Sequence, residues 1–582
     1  MLGQSGVFHT GEHVATRVMD SNPLERERGI TILAKNTAIQ RGAVKFNIVD
    51  TPGHADFGGE VERVLQMVQG VLLLVDAVEG VMPQTRFVLR KALEADLRAI
   101  VVINKIDRRD ARPAEVVNEV FDLFIDLGAN DEQADFPVLY TDAKRGIAKA
   151  RPDAADADLE LLFDSIVQHV PEPPAEDGGF QMLVSAIDHN TYVGRIGIGR
   201  VFRGTCKVNA PIVKIARDGA LESGLRLSKL LAFAGLERVE VEQAEAGDIV
   251  CVSGIDGLNI GDTIAAAEWP EAIAAAAIDE PTVSISISVN TSPFAGREGR
   301  FLTSRHLRER LIRELESNVA LRVADTQSPD TFEVRGRGEL HLSILIETMR
   351  REGYELAASK PQVILTERNG IKHEPIEYVV IDVPEQYSGS AIDAMGKRKG
   401  TMSNMLGVGD SRRLEYRMPT RAIFGLRSEL LTLSRGTAVM SHTYYDHEPW
   451  EGTVPGRAYG VLVASESGTT TGYAMMALES RGRFFIGPGT AVYEGMVVGR
   501  TNDDKDVAIN VCRAKKLTNM RAAGTDESVK LAPPDTLSLE RAIEFIDDDE
   551  LVEVTPKTIR LRKRLLREVD RLRQRKHALA AL

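Results

Sequence analysis

Four short apolar runs, at residues 46–49, 71–75, 99–103 and 137–140, recur through the first part of the chain. Runs this continuous leave no wet face, and the segments between them at 84–95 and 114–127 carry helical periodicity. Strands of this kind alternating with helices specify a parallel sheet covered on both sides. A parallel sheet places its functional turns at the carboxyl ends of the strands. Two such turns are informative here, Asp50-Thr51-Pro52-Gly53-His54 after the first run and Asn104-Lys105-Ile106-Asp107 after the third.

Each turn carries a specific chemistry. Asp50 presents a carboxylate suited to hold Mg2+ through water, and Gly53 lets the backbone N–H approach a γ-phosphate because no side chain stands in the way. His54 stands where guanine-nucleotide hydrolases place the group that orients the attacking water. Asp107 can accept two hydrogen bonds, from guanine N1–H and the exocyclic amine. Adenine offers neither donor, and such a bidentate contact discriminates by about 1–3 kcal/mol. Asn104 would meet the base from its other edge, with the Lys105 stem along the ring. Upstream, Arg28-Gly29-Ile30-Thr31-Ile32 supplies a hydroxyl at Thr31 that could ligate Mg2+ directly, in a loop ordered by the γ-phosphate. Together these residues describe a guanine-nucleotide site for GTP.

The site is half written. A Gly-x-x-x-x-Gly-Lys-Ser/Thr phosphate loop should precede Arg28, yet the pattern occurs nowhere in the 582 residues. Without its amides, its lysine and its hydroxyl, the β- and γ-phosphates lose their main charge partners, and affinity and turnover should collapse. The simplest expectation is that roughly twenty residues carrying the loop precede an internal Met1.

Length and composition bound the rest. At about 150 residues per domain, 582 residues suggest about four domains. The chain is 43% hydrophobic and 27% charged, without an apolar run long enough to span a bilayer, so a soluble protein with no membrane partner is expected, and its widely spaced cysteines point to a reducing cytoplasm. Cys206, Cys251 and Cys512 lack metal or disulfide spacing, which fits inert packing thiols. The net charge of −13 argues against a general nucleic-acid binder, but residues 557–576 hold ten Lys or Arg against Glu568 and Asp570. That segment is either a phosphate-facing patch or a solvated terminal helix with Leu561, Leu565, Leu566, Val569 and Leu572 packing inward.

The expected fold class is multidomain α/β. A P-loop-type parallel-sheet domain, amino-terminally truncated, covers 1–175, followed after a Pro-rich linker by a β-barrel at 180–272. Two ferredoxin-like α+β modules follow at 280–368 and 374–457, and a mixed β-rich domain at 458–582 ends in the basic helix.

With these residues in hand, the chain resembles the translational GTPases, and nearly all of it resembles the BipA/TypA ribosome-associated GTPases. The resemblance rests on residues 28–32, 50–57, 82–86 and 104–107, and on Phe332-Glu333-Val334-Arg335-Gly336-Arg337-Gly338-Glu339-Leu340-His341-Leu342, which is similar to a third-domain signature of elongation factor G. Gly396-Lys397-Arg398-Lys399-Gly400 with Pro419-Thr420-Arg421, and Lys515-Lys516-Leu517-Thr518-Asn519-Met520-Arg521-Ala522, narrow it further. The resemblance implies GTP hydrolysis with Mg2+ and binding between the ribosomal subunits in the factor site. It also implies contacts to ribosomal RNA and A-site tRNA, and support of large-subunit assembly under cold or stress.

His54 would be the residue engaged by ribosomal RNA. The candidate RNA contacts are Lys397, Arg398, Lys399, Lys515, Lys516, Arg521, Arg562, Lys563 and Arg564. In Thr141-Asp142-Ala143-Lys144 the family pattern has Ser-Ala, so a backbone contact to guanine O6 would fall to Ala143 or Lys144. A monomer suffices for all of this. The competing readings are a nucleotide-independent ribosomal-RNA-binding factor, a LepA-type factor, and a GTPase unrelated to ribosomes.

Overall fold

The apolar runs become strands, but of the three at 46–49, 71–75 and 99–103 only the last is buried on both faces: in the first only Phe46 is buried, and in the second Leu74 is 58% exposed. The computed structural model describes residues 1–5, 18–20, 22–174, 178–190, 194–275, 279–408, 411–454, 456–457, 459–514 and 531–580. It divides into two units, one of residues 1–280, 314–320 and 441–443, the other of residues 281–313, 321–440 and 444–582. No helix among the described residues is long and apolar enough to cross a membrane.

In the first unit, β1 (Lys35–Arg41) and β2 (Val44–Asp50) form an antiparallel hairpin. Strands β3 (Gly70–Asp76), β4 (Arg98–Asn104) and β5 (Val138–Asp142) run parallel, and β6 (Ile147–Lys149) adds antiparallel to β5. Among the described residues nothing pairs β2 with β3, so the hairpin and the four-stranded sheet are separate sheets. Helices α1 (Pro23–Arg28), α2 (Gly58–Leu65), α3 (Pro83–Glu94) and α4 (Pro113–Asp126) alternate with the strands. Ile103, Val101, Val116, Val120 and Phe124 fill one face of the sheet and Ile100, Leu139, Leu162 and Phe163 the other.

Ten strands follow: β7 (Gln181–Asn190), β8 (Gly194–Arg203), β9 (Thr205–Lys207), β10 (Pro211–Ile215), β11 (Leu221–Arg226), β12 (Lys229–Ala234), β13 (Glu237–Glu240), β14 (Gln243–Glu245), β15 (Ile249–Ser253) and β16 (Thr263–Ala266). The barrel expected here is corrected to an open antiparallel sheet in the order β11-β10-β16-β7-β8-β15-β12-β13, with β14 and β9 as a separate pair. The edges β11 and β13 do not pair with each other. Both are exposed and charged, with Glu222 and Arg226 on one and Glu237, Arg238 and Glu240 on the other, the chemistry that keeps sheet edges in water. The sheet wraps Met182, Val184, Val201, Leu227, Val250 and Ile264 into one core. Burial there pushes the Cys206 thiol up to about 12 and that of Cys251 up to about 11, so neither is a thiolate at neutral pH.

The second unit contains two successive β-α-β-β-α-β modules. In the first, strands Val283–Ser288, Arg322–Asp325, Thr331–Gly336 and Leu356–Ala358 lie in the order fourth-first-third-second, with helices Ser304–Ser317 and Glu339–Glu352 between them. The second repeats that order with strands Ile371–Pro384, Thr401–Val408, Ser411–Pro419 and Val439–Pro449. Strand Leu356–Ala358 also pairs with Glu550–Val554, so the first module's sheet continues into the carboxy-terminal strands.

The basic segment is not one helix. Residues Ile559–Lys563 form a buried strand, and only Glu568–Ala580 is helical. Leu565, Val569 and Leu572, expected to pack inward, are 38%, 57% and 50% exposed. Lys563 is nearly fully buried because Asp506, Asp549 and Glu550 meet its Nζ at 2.7, 2.9 and 2.9 Å. Buried Glu550 also receives both Arg457 terminal nitrogens, at 2.8 and 3.0 Å. Burial raises the Glu550 carboxyl, but Arg457 and Lys563 more than offset this and hold it below its ordinary range. Glu553, equally buried, accepts from Asn290, Ser292, Tyr493 and Arg560. Removing one partner from such a cluster strands a charge without solvent. Lys563→Met is therefore expected to cost about 3–5 kcal/mol in urea unfolding of the full chain, whereas exposed Lys557→Met should leave stability within about 0.5 kcal/mol.

Candidate functional site

Parallel register brings three strand exits to one level. Asp76 of β3 pairs in register with Asn104 of β4, and Asn104 with Thr141 of β5. The Asn104 carboxamide oxygen accepts from Thr141 Oγ1 at 3.1 Å and from the Ala143 N–H at 3.1 Å, while its backbone carbonyl accepts from the Ala77 N–H at 2.8 Å. One side chain thus ties the turn after β4 to the turn after β5. Its Nδ2 has no hydrogen bond among the described residues, leaving that donor for a base edge.

Lys105 follows in the left-handed region, at φ +64°, which turns its stem across the strand ends. Its Nζ lies 2.5 Å from Asp76 Oδ2, and Asp76 Oδ1 accepts from the amides of Val78 and Glu79 at 2.8 and 3.3 Å. Burial pushes the Asp76 carboxyl up, but the Lys105 ammonium and the two amides prevail and hold it below its ordinary range. The Asp107 carboxylate is exposed and, among the described residues, accepts no hydrogen bond or ion pair. An unengaged carboxylate beside an anchored lysine and a free amide group matches what a guanine ring requires.

The turn after β5 narrows one expectation. Buried Asp142 uses Oδ1 to accept the Arg145 N–H at 3.2 Å, closing the turn on itself. Since the Ala143 N–H is engaged by Asn104, the backbone donor left for O6 is that of Lys144, which makes no hydrogen bond among the described residues.

On the phosphate side, β2 delivers Asp50 and the exposed turn at Gly53. Among the described residues, chain neighbours aside, nothing lies within 4 Å of where a Cβ on Gly53 would stand, which leaves the approach to its backbone open. His54 Nδ1 accepts from the Asp56 N–H at 3.4 Å and lies 3.6 Å from Asp56 Oδ1, with Phe57 against its ring.

The segment carrying Thr31 is fixed by a group the sequence reading passes over. Glu25, fully buried in α1, accepts from the amides of Ile32 and Leu33 at 2.9 and 3.1 Å and from Lys35 Nζ at 2.5 Å. Thr31 Oγ1 donates to Asp20 at 3.4 Å, and Lys35 also reaches Asp20. Burial first, and the Asp20 charge second, push the Asp50 carboxyl above its ordinary range despite Lys35. Three carboxylates sharing one ammonium leave an excess of negative charge beside the Thr31 hydroxyl, and these oxygen donors fit Mg2+. No three acidic, imidazole or thiolate side chains converge on a closed metal cage among the described residues. Mg2+ suits such a site, since it keeps waters and substrate phosphates and takes only one or two protein oxygens.

The expected RNA contacts divide. Lys397 is exposed, 2.7 Å from Asp393, and Lys399 stands beside it at φ +62°. Arg398 turns inward, with Nε and Nη2 on Glu429 and Nη1 on the carbonyls of Ala422 and Phe424. Arg562 and Lys563 are buried in their strand, so neither offers a surface to RNA. Their neighbour Arg564 is exposed. Lys515, Lys516 and Arg521 lie outside the described residues.

Asp76 and Glu25 were findable. Asp76 ends an apolar run as Asp50 does, and Asn22-Pro23-Leu24-Glu25 is a capping-box pattern whose two hydrogen bonds are both present.

The Elongation factor Tu GTP binding domain matches residues 1–273, the Elongation factor G C-terminus 371–458 and the TypA/BipA C-terminal domain 459–568. The Large ribosomal subunit assembly factor BipA of Bacillus subtilis (strain 168) is 51% identical over 575 residues, 98% of this chain and 94% of that protein. Its namesake in Escherichia coli (strain K12) is 52% identical over 576 residues, 98% and 95% of the two chains. That of Synechocystis sp. (strain ATCC 27184 / PCC 6803 / Kazusa) is 52% identical over 566 residues, 97% and 94%. A crystal structure of a Thermus thermophilus protein shares the fold, with a TM-score of 0.51 at 15% identity over 77% of this chain and 94% of that one.

These matches define a GTPase built on the elongation-factor GTP-binding domain. Within that class, the chain belongs to the TypA/BipA family.

The Asp76–Lys105 pair gives a pH signature. A carboxyl whose folded pKa is depressed contributes stability that is present above its unfolded pKa and lost as pH falls through the folded one. Asp76→Asn is therefore expected to lower the melting temperature at pH 7, with the difference from the parent closing as pH drops below the ordinary carboxylate value of about 3.9.

Proposed function

We propose that the chain is a ribosome-binding translational GTPase that hydrolyses GTP to GDP and phosphate and supports large-subunit assembly and translation in the cold or under stress. The observation that carries this is the preset base half of the site. Asn104 ties two strand exits while its amide nitrogen stays available, Asp76 anchors Lys105, and Asp107 remains unengaged. The relatives named as large ribosomal subunit assembly factors supply the cellular setting.

In this reading Asp107 accepts from guanine N1–H and the exocyclic amine, Asn104 donates from its amide nitrogen, the Lys105 stem covers the ring and the Lys144 N–H meets O6. Gly53 N–H meets the γ-phosphate. His54 orients a water whose oxygen attacks the γ-phosphorus. The bond from that phosphorus to the bridging oxygen breaks, its electron pair leaves with GDP, and the water's proton ends on inorganic phosphate. Thr31 directly and Asp50 through water would hold Mg2+, which when bound neutralises charge on the β- and γ-phosphates. Lys397, Lys399 and Arg564, with Lys515, Lys516 and Arg521, are proposed to meet ribosomal RNA and A-site tRNA between the subunits, the factor acting as a cytoplasmic monomer. The five segments 1–175, 180–272, 280–368, 374–457 and 458–582 are proposed as its domains.

The test measures GTP hydrolysis, with and without ribosomes, by the 582-residue chain and by a form extended upstream with a Gly-x-x-x-x-Gly-Lys-Thr segment. Ribosome-stimulated turnover is expected in the extended form, and none in either form would refute the assignment. In the active form His54→Ala should lower stimulated turnover about 10²- to 10⁴-fold with nucleotide affinity unchanged. Asp107→Asn should weaken GTP binding by about 1–3 kcal/mol and admit xanthosine triphosphate, whose ring carries a carbonyl where guanine has its amine.

A further inference from the structure

Helix α2 begins just past His54 and packs against the sheet that starts at β7. Arg63 on its last turn is 5% exposed. Its Nε donates to the Gly59 carbonyl at 3.2 Å and its Nη2 pairs with the Glu60 carboxylate. Nη1 is buried and has no partner among the described residues. Burial lowers the Arg63 pKa to about 10, which leaves the guanidinium charged at neutral pH.

A second orphan faces the same space. Ser185 of β7 is 4% exposed, and its hydroxyl also lacks a partner among the described residues. It sits where the β7–β8 register slips between Val184 and Ala186. An extra residue at such a slip re-aims its side chain, a device common beside binding sites. Between Arg63 and Ser185 lies a small solvent-open cleft walled by Leu183, Val184 and Ile260, with the exposed Arg217 at its lining. Among the described residues Arg217 forms no ion pair and no carboxylate lines the cleft.

Buried N–H and O–H groups are rarely left unmatched in folded proteins. The two orphans here are both able to donate, and the lining adds a second guanidinium and nothing acidic. Guanidinium groups match tetrahedral oxyanions by geometry as well as charge. We propose that this cleft binds one tetrahedral oxyanion, a phosphate group, through Arg63 Nη1, Ser185 Oγ and Arg217. Its occupant pins α2 against β7 and so steadies the helix that continues from the His54 turn. The site is separate from the base and phosphate contacts assigned to GTP and stands whether or not that assignment holds.

The probe is inorganic phosphate. Thermal unfolding of the full chain, free of nucleotide, is followed at pH 7 with sodium phosphate and with sodium chloride at matched ionic strength. A ligand that binds only the folded state raises the melting temperature in a concentration-dependent way. Phosphate is expected to do so saturably, and Ser185→Ala and Arg217→Gln, both outside α2, should each weaken its apparent affinity about tenfold, the loss of one charge-assisted hydrogen bond. A crystal grown with tungstate should show its anomalous peak on Arg63 Nη1. Equal melting in the two salts, an unchanged response in both variants, or a single water at that position would each overturn the proposal. A tungstate peak without a solution effect would mean an adventitious ion only and would overturn it as well.

Discussion

The Asn104 carboxamide is the joint on which the nucleotide side of this protein depends. A parallel sheet fixes the height of its strand ends through its hydrogen-bond register but leaves the turns beyond them free. By accepting from Thr141 Oγ1 and the Ala143 N–H, Asn104 makes two of those turns one surface. The Ala77 N–H on its backbone carbonyl brings in the third. Lys105 and Asp107 then need no further support from the fold: one is held by Asp76 and the other is left open to solvent. In the proposed reading base recognition would be organised before any ligand arrives, which reduces the ordering cost of binding.

A different constraint governs the second unit. Strand Glu550–Val554 joins the sheet of the first β-α-β-β-α-β module through Leu356–Ala358, and it carries Glu550 and Glu553 into a region without water. Each is compensated by cations and hydroxyls from distant parts of the chain: Arg457 and Lys563 for one, Asn290, Ser292, Tyr493 and Arg560 for the other. Charges this deeply buried are costly to leave without partners, so losing any one of these contacts would destabilise the strand pairing there.

The contrast explains what is legible in the sequence. Helices Pro83–Glu94 and Pro113–Asp126 and the three parallel strands fall within a few residues of where periodicity puts them, because their pattern is encoded locally. The segment Ile559–Lys563 reads as helix from its charges, although Ile559-Arg560-Leu561-Arg562 alternates as a strand does. Those charges resemble a solvated face, and the carboxylates that bury Lys563 lie elsewhere in the chain. The same blindness to distant partners assigns Arg398 and Arg562 to RNA. Of the site, Asp50, Gly53, Asn104, Lys105 and Asp107 can be read as a motif. The Asn104–Ala143 bond, which narrows the O6 donor to Lys144, requires the register of β4 against β5.

In the proposed reading the chain holds the guanine base through Asn104, Lys105 and Asp107 but meets the phosphates without a Gly-x-x-x-x-Gly-Lys loop. Calorimetric titration of the 582-residue chain with guanosine and with GTP, in Mg2+, tests it directly. The account predicts affinities within about tenfold of each other, both falling with Asp107→Asn. GTP binding about a thousandfold or more tighter than guanosine would show that residues of this chain already provide the missing phosphate contacts, and would contradict it.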